Sequence, residues 1–203
     1  MRRKISAVLL AGGKAQRMGG GDKCLRLLGG RTLLEHVVER VRPQVGPIVL
    51  NANGDADRFR SFDLPVAQDI VAGFAGPLAG ILTGMRWTSN NASECDWMLS
   101  VPTDSPFIPY DLVSSLLSEI EQNDGDIACA VSCGRKHPVV GLWPVRLANA
   151  LERALIDEDM RKIELWTGRY RVTEVSFPSE KLDPFFNANQ PEDLLEAEQL
   201  LLL

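Results

Sequence analysis

The stretch ISAVLL (Ile5–Leu10), running directly into AGGKAQRMGGGDK (Ala11–Lys23), sets the architecture of this chain. An apolar run of strand length passes into a loop holding five glycines, with Lys14, Arg17 and Lys23 among them. Glycine lets backbone N–H groups turn inward and approach a ligand closely, and such groups together with fixed cations cradle phosphate. The spacing matches neither common phosphate-binding glycine motif. No G-x-x-x-x-G-K-[ST] occurs, and Gly19, Gly20 and Gly21 are followed by Asp22, Lys23 and Cys24, which breaks G-x-G-x-x-G. A plain strand-to-helix turn with solvated charges is the alternative, but three cations among five glycines is a costly way to build one. The chain is therefore expected to handle a nucleotide or another phosphorylated compound.

Over 203 residues, the 45% apolar and 24% charged content is that of a globular chain able to bury a substantial core as one domain, residues 1–203. A net charge of −5 argues against a nucleic-acid surface, whereas a local basic loop on an acidic body suits a small anionic substrate. Arg2, Arg3 and Lys4 ahead of ISAVLLA imitate an export signal. The apolar stretch ends at Ala11, at the lower limit of the about 7 to 15 residues a signal core spans. Nothing else approaches the roughly 18 apolar residues of a membrane helix, so no membrane association and a cytoplasmic location are expected. Cys24, Cys95, Cys129 and Cys133 show no C-x-x-C spacing, and His36 and His137 are the only histidines. Free, mostly buried thiols are expected rather than a zinc cluster, and hydrolase triads are weakly supported. A monomer is the default for this ordinary charged surface.

Short apolar runs alternate with helical patterns, which predicts a layered α/β domain: a Rossmann-like, three-layer arrangement with a mostly parallel central sheet flanked by helices. Strands are expected at Ile5–Leu10, Pro47–Ala52, Pro65–Gln68, Trp97–Val101, Ile127–Val131, Val139–Trp143 and Arg171–Phe177. Thr32 and Glu35 form a capping-box pattern ahead of Leu33, Leu34, Val37, Val38 and Val41. A second helix is expected over about Pro109–Gln122, and a third from about Pro191 to the C-terminus.

In an open parallel sheet, ligands gather outside the carboxyl ends of the strands. That rule selects Asn51 after PIVL, Asp69 after PVAQ and Asp104 after MLSVPT. Each alone reads equally as a turn or cap residue, but three at one edge beside the glycine loop point to a site. Asp104 is framed by Pro102, Pro106 and Pro109. One rigid carboxylate facing a phosphate loop is what Mg²⁺ needs, since this ion takes one or two carboxylates and completes its shell with water and phosphate oxygens. An N-cap role would account for the aspartate but not for the proline frame.

LAGGKAQRMGGGDK (Leu10–Lys23), GPLAGI (Gly76–Ile81), PTDSPFIP (Pro102–Pro109), KHPVVGLW (Lys136–Trp143) and FFNANQPEDL (Phe185–Leu194) follow one another along the chain. Together they resemble the molybdenum cofactor guanylyltransferase (MobA) family over essentially the whole sequence. The first motif alone resembles sugar-nucleotide nucleotidyltransferases in general. Thr103 and Gln190 depart from the Cys and Thr usual in the family. The resemblance implies transfer of GMP from GTP to molybdopterin-bound molybdenum, with pyrophosphate released and Mg²⁺ as cofactor. It implies nucleotide contacts at Leu10, Ala11, Gly12 and Gly13, charge neutralisation by Arg17 and Lys23, and a metal ligand in Asp104. Asn51 and Asp69 match positions at the guanosine end, and Asn187 and Asn189 positions near the active site. Arg135, Lys136 and His137 are candidates for the acceptor's phosphate; His137 also reads as a partly exposed strand-end residue. Asn189 also reads as an N-cap with Glu192 three residues on. Molybdoenzymes or their chaperones are the implied recipients of the product. A cytidylyl or sugar-phosphate transferase and a GTP-binding regulator remain the competing readings.

Overall fold

The structure is a computed structural model and describes residues 4–12, 21–71, 73, 76–179, 182–188 and 191–200. β1 (Ile5–Leu10) is followed by a small hairpin of β2 (Leu27–Leu28) and β3 (Arg31–Thr32), then α1 (Leu33–Val41), β4 (Ile48–Asn51), β5 (Val66–Ala67) and α2 (Pro77–Asn91). The second half runs β6 (Trp97–Pro102), α3 (Leu112–Asn123), β7 (Ile127–Ser132), β8 (Arg135–Pro144), α4 (Ala148–Asp157), α5 (Ile163–Thr167), β9 (Val172–Ser176) and α6 (Pro191–Leu200). The anticipated strands form, and β8 begins at Arg135 rather than Val139. The capping box forms too: Thr32 Oγ1 accepts from Glu35 N–H at 3.1 Å, and Glu35 Oε2 accepts from Thr32 N–H at 2.6 Å. The Thr32 N–H, together with the Thr32 hydroxyl, which donates to the same Oε2 at 2.8 Å, holds the Glu35 carboxyl below its ordinary range. The periodicity did not single out α2, because it buries the unbroken run Leu78–Met85 and so has little polar face in that stretch.

Seven strands make one sheet in the order β5-β4-β1-β6-β8-β7-β9. β5, β4, β1 and β6 are mutually parallel, β8 runs antiparallel to both its neighbours, and β7 and β9 are parallel. The mostly parallel sheet is as the sequence predicts. The chain leaves β1 for β4 and β5 on one side, then returns to place β6 on the other. That reversal opens a crevice at the carboxyl ends of the strands.

Parallel strands covered on both faces are near-continuous apolar runs, and β1 follows this rule except at Ser6, whose buried hydroxyl lies 2.7 Å from Thr88 Oγ1. Ile5, Ala7 and Leu9 join a core with α1 and α3, while Val8 joins the opposite core with α2, α4 and α5. Two glycines let α2 lie hard against the sheet. A Cβ on Gly84 would stand 2.6 Å from Val8 Cβ and 2.7 Å from Met98 Sδ. One on Gly80 would stand 2.4 Å from Asn51 Oδ1. Gly84→Ala gains about 1 kcal/mol of helix propensity, but overpacking of this kind costs about 1–3 kcal/mol. The urea midpoint of the Gly84→Ala protein is therefore expected to fall at unchanged slope; an unchanged or higher midpoint would contradict this packing.

Candidate active site

Register brings the site together. Leu10 pairs with Asn51 on one side and with Pro102 on the other, and Asn51 pairs with Ala67. Four strands thus end at one level, and the residues just beyond them share a cavity of about 370 Å³. Leu10, Gly12, Lys23, Asn51, Asp69, Asp104 and Asn187 line it, as does Asn53, which the sequence reading passed over. The Asn-x-Asn spacing directly after the β4 run was the available signal. Ala11 is buried, and its N–H donates to Asn51 O at 2.9 Å. Leu10 O accepts from both the N–H and the hydroxyl of Thr103, at 3.2 and 3.1 Å. The amide of Ala11 and the carbonyl of Leu10 are therefore already committed to the scaffold. Gly13, Arg17 and Asn189 lie outside the described residues.

At one end of the cavity Asp69 is held by two amides. Asn51 Nδ2 donates to Asp69 Oδ1 at 3.0 Å and to Ala67 O at 3.2 Å. Asn53 Nδ2 donates to Asp69 Oδ2 at 2.8 Å, while Asn53 Oδ1 accepts from Asp69 N–H at 2.9 Å. Both donor hydrogens of Asn51 are spent, so its part is to orient the carboxylate, whose remaining lone pairs stay available. Arg58 links this end to the base of the glycine loop: its Nη2 donates to Asn53 O at 2.6 Å and its Nε lies 2.5 Å from Asp22 Oδ2.

At the other end Lys23 is 7% exposed, and its ammonium is paired with Asp104 Oδ2 and donates to Asn187 Oδ1 at 3.1 Å. Burying an ammonium costs several kcal/mol (order of magnitude) unless it is paired and hydrogen-bonded. Asp104 O also accepts from Ala188 N–H at 3.2 Å, which brings the Asn187 segment against the β6 loop. Asp104 Oδ1 is buried and has no hydrogen-bond partner among the described residues. No group of three or more His, Cys, Asp or Glu side chains able to hold a metal ion occurs among the described residues.

A second cavity, about 560 Å³, adjoins the first and shares Pro102, Val139 and Asn187 with it. His137, Arg135, Lys136, Asp183 and Phe185 line it. Proline has no N–H for a ladder, so within a sheet it sits at edges or bulges. Here the register slips between Cys129, which faces Gly141, and Ala130, which faces His137. The slip leaves Pro138–Val140 off the β7 ladder, and Val139 O instead accepts from Ser100 Oγ at 2.6 Å. Trp143 Nε1 donates to that same Ser100 oxygen at 2.7 Å. Trp143 and Trp166 are buried with rings 6.0 Å apart, so both belong to the core. Burial lowers the pKa of His137, the Asp183 charge opposes this, and Arg135 reinforces it.

Burial, reinforced by the Asp22 charge, pushes the Cys24 thiol up to about 11, and burial takes Cys129 to about 11 as well. Cys95 is buried, and Cys133 is exposed in the β7–β8 turn. An aromatic disulfide reagent is expected to label the native protein rapidly at Cys133 alone, the fast phase vanishing in Cys133→Ser. Fast labelling of Cys24 would contradict the packing beside Lys23.

The family model of the MobA-like NTP transferase domain matches residues 7–169. A molybdenum cofactor guanylyltransferase of Bradyrhizobium sp. (strain ORS 278) is 53% identical over 196 residues, covering 97% of this chain and 92% of that relative. The crystal structure of molybdopterin-guanine dinucleotide biosynthesis protein A from Archaeoglobus fulgidus superposes with a TM-score of 0.74 at 28% identity, covering 97% of this chain and 98% of that one. A Mycobacterium tuberculosis H37Rv protein solved in complex with manganese shares the fold at 15% identity and a TM-score of 0.68, covering 98% and 100%. With the cavity at the strand ends and these matches together, the chain belongs to the molybdenum cofactor guanylyltransferases, nucleotidyltransferases of the MobA-like family.

Proposed function

We propose that this protein transfers GMP from GTP to the terminal phosphate of molybdenum-bearing molybdopterin, forming molybdopterin guanine dinucleotide and releasing pyrophosphate, within one domain of residues 1–203. The observation that carries the reading is the junction of the two cavities: Lys23, Asp104 and Asn187 line the nucleotide side, and Asn187 lines the acceptor side as well. A phosphate oxygen of the acceptor attacks the α-phosphorus there while the bond to the β-phosphate breaks. The nucleophile is already anionic at neutral pH, so positioning and electrostatics supply most of the acceleration.

Asp69 receives the N–H donors of guanine, with Asn51 and Asn53 holding its carboxylate still. Lys23, with Arg17, neutralises the triphosphate and the charge that grows on the departing pyrophosphate. Asp104 would hold Mg²⁺, since its unpartnered buried Oδ1 suits a hard cation that takes one or two carboxylates. When bound, that ion stabilises charge on the phosphate oxygens. Leu10 and Gly12 border the nucleotide, and His137 and Asn187 face the acceptor; Gly13 and Asn189 keep the nucleotide and acceptor roles that the family resemblance implies.

Pyrophosphate release with Mg²⁺ and the molybdenum-loaded acceptor, comparing GTP with CTP and ATP, tests the reading. Release is expected with GTP and only when acceptor is present; a CTP preference would move the base assignment, and release without acceptor would remove the transferase assignment. Asp104→Ala is expected to lower turnover by roughly 10²-fold or more, and near-normal turnover would exclude its metal role. Asp69→Asn is expected to narrow the GTP-over-ATP preference by about tenfold or more; an unchanged preference would place base recognition elsewhere.

A further inference from the structure

The acceptor-side cavity contains a hydrogen-bonded network that the chemistry above does not use. Ser132, at the end of β7 and 2% exposed, has its Oγ 2.7 Å from His137 Nε2 and donates to Asp183 Oδ1 at 2.6 Å. A serine hydroxyl has one proton. With that proton given to the carboxylate, the oxygen accepts from the imidazole, so Nε2 bears the hydrogen and Nδ1 keeps its lone pair. Asp183 Oδ1 also accepts from Phe185 N–H at 2.9 Å, and the Phe185 ring lies 4.8 Å from the His137 ring. Hydroxyl, carboxylate and aromatic wall together fix both the tautomer and the plane of His137. Nδ1 has no hydrogen bond among the described residues, and His137 lines the cavity.

We propose that Ser132 and Asp183 are positioning residues that lock His137 as the Nε2–H tautomer and present its Nδ1 to the phosphate monoester of the acceptor. This rests on the reading of the second cavity as the acceptor site. An imidazole and a phosphate monoester ordinarily titrate close together, at about 6.5 and about 6. Burial lowers the pKa of His137, so the proton lies on the phosphate oxygen, which donates to Nδ1. The Nδ1–phosphate contact is then a hydrogen bond through that proton. The charged groups around the ring are Asp183, which favours the protonated imidazole, and Arg135, which opposes it, with Lys136 and Asp193 on the same cavity wall.

The test begins with ¹⁵N spectra of the imidazoles in the full chain. Only two histidines occur, and His36, whose Nε2 lies 2.9 Å from Leu28 O, is assigned by its own substitution. His137 is expected as Nε2–H in the unsubstituted protein; finding it as Nδ1–H overturns the proposal without any variant having to fold. In Ser132→Ala the tautomer preference is expected to weaken and the KM for acceptor to rise about tenfold, with the KM for GTP within about twofold and Ser132→Thr restoring both. An acceptor KM raised by His137→Gln but untouched by Ser132→Ala refutes the positioning role. An acceptor KM untouched by His137→Gln refutes the acceptor reading of the cavity, while the tautomer result stands by itself.

Discussion

The parallel register of β1 against β4 and β6 is the constraint on which the rest of the structure depends. Because Leu10 stands level with both Asn51 and Pro102, the groups that follow each strand emerge into one crevice. The level is reinforced at the strand ends, where Ala11 N–H reaches Asn51 O and Thr103 reaches Leu10 O through two donors. A one-residue slip would turn every side chain of β1 to the opposite face. The two apolar cores and the site are therefore specified by one pairing. Gly80 and Gly84 belong to the same constraint, since any side chain there would push α2 off the strands that carry Asn51 and Val8.

Within that frame the cavity at the strand ends is organised by charge at one end and by amides at the other. Lys23, Asp104 and Asn187 are separated by 81 and 164 positions along the chain, yet they meet through an ion pair and a hydrogen bond in a largely buried place. A buried ammonium held this way has its desolvation cost met at folding, so little reorganisation is left for the step in which charge moves. Asp69 is treated similarly, with one carboxylate oxygen assigned to each of two asparagines. Arg58 connects the two ends by gripping Asn53 O and Asp22.

Pro138 does the corresponding work beside the second cavity. Its missing N–H coincides with the slip in the β7–β8 ladder, and Ser100 and Trp143 stabilise the bulged backbone from the opposite core. The bulge places Val139 between the two cavities and leaves His137 beside Ser132 and Asp183. A strand that would otherwise run past the site becomes its partition. A bulge beside a site re-aims side chains in this way.

The sequence by itself determined the strands, the capped first helix and the parallel α/β class, because apolar periodicity and cap chemistry are local properties of the chain. It also marked Lys23, Asn51, Asp69 and Asp104, since glycine content and polar residues just past apolar runs can be read without coordinates. It could not show α2, whose contiguous burial leaves little periodic signal, nor that the Ala11 amide is committed to Asn51. Ser132 and Asp183 were silent because their meaning is each other, 51 positions apart, and the Asn-x-Asn spacing that marks Asn53 does not name its partner, a carboxylate 16 positions away. Tertiary structure alone decided those pairings, because a hydrogen bond is set by distance and direction in space, and neither is recorded in the order of residues.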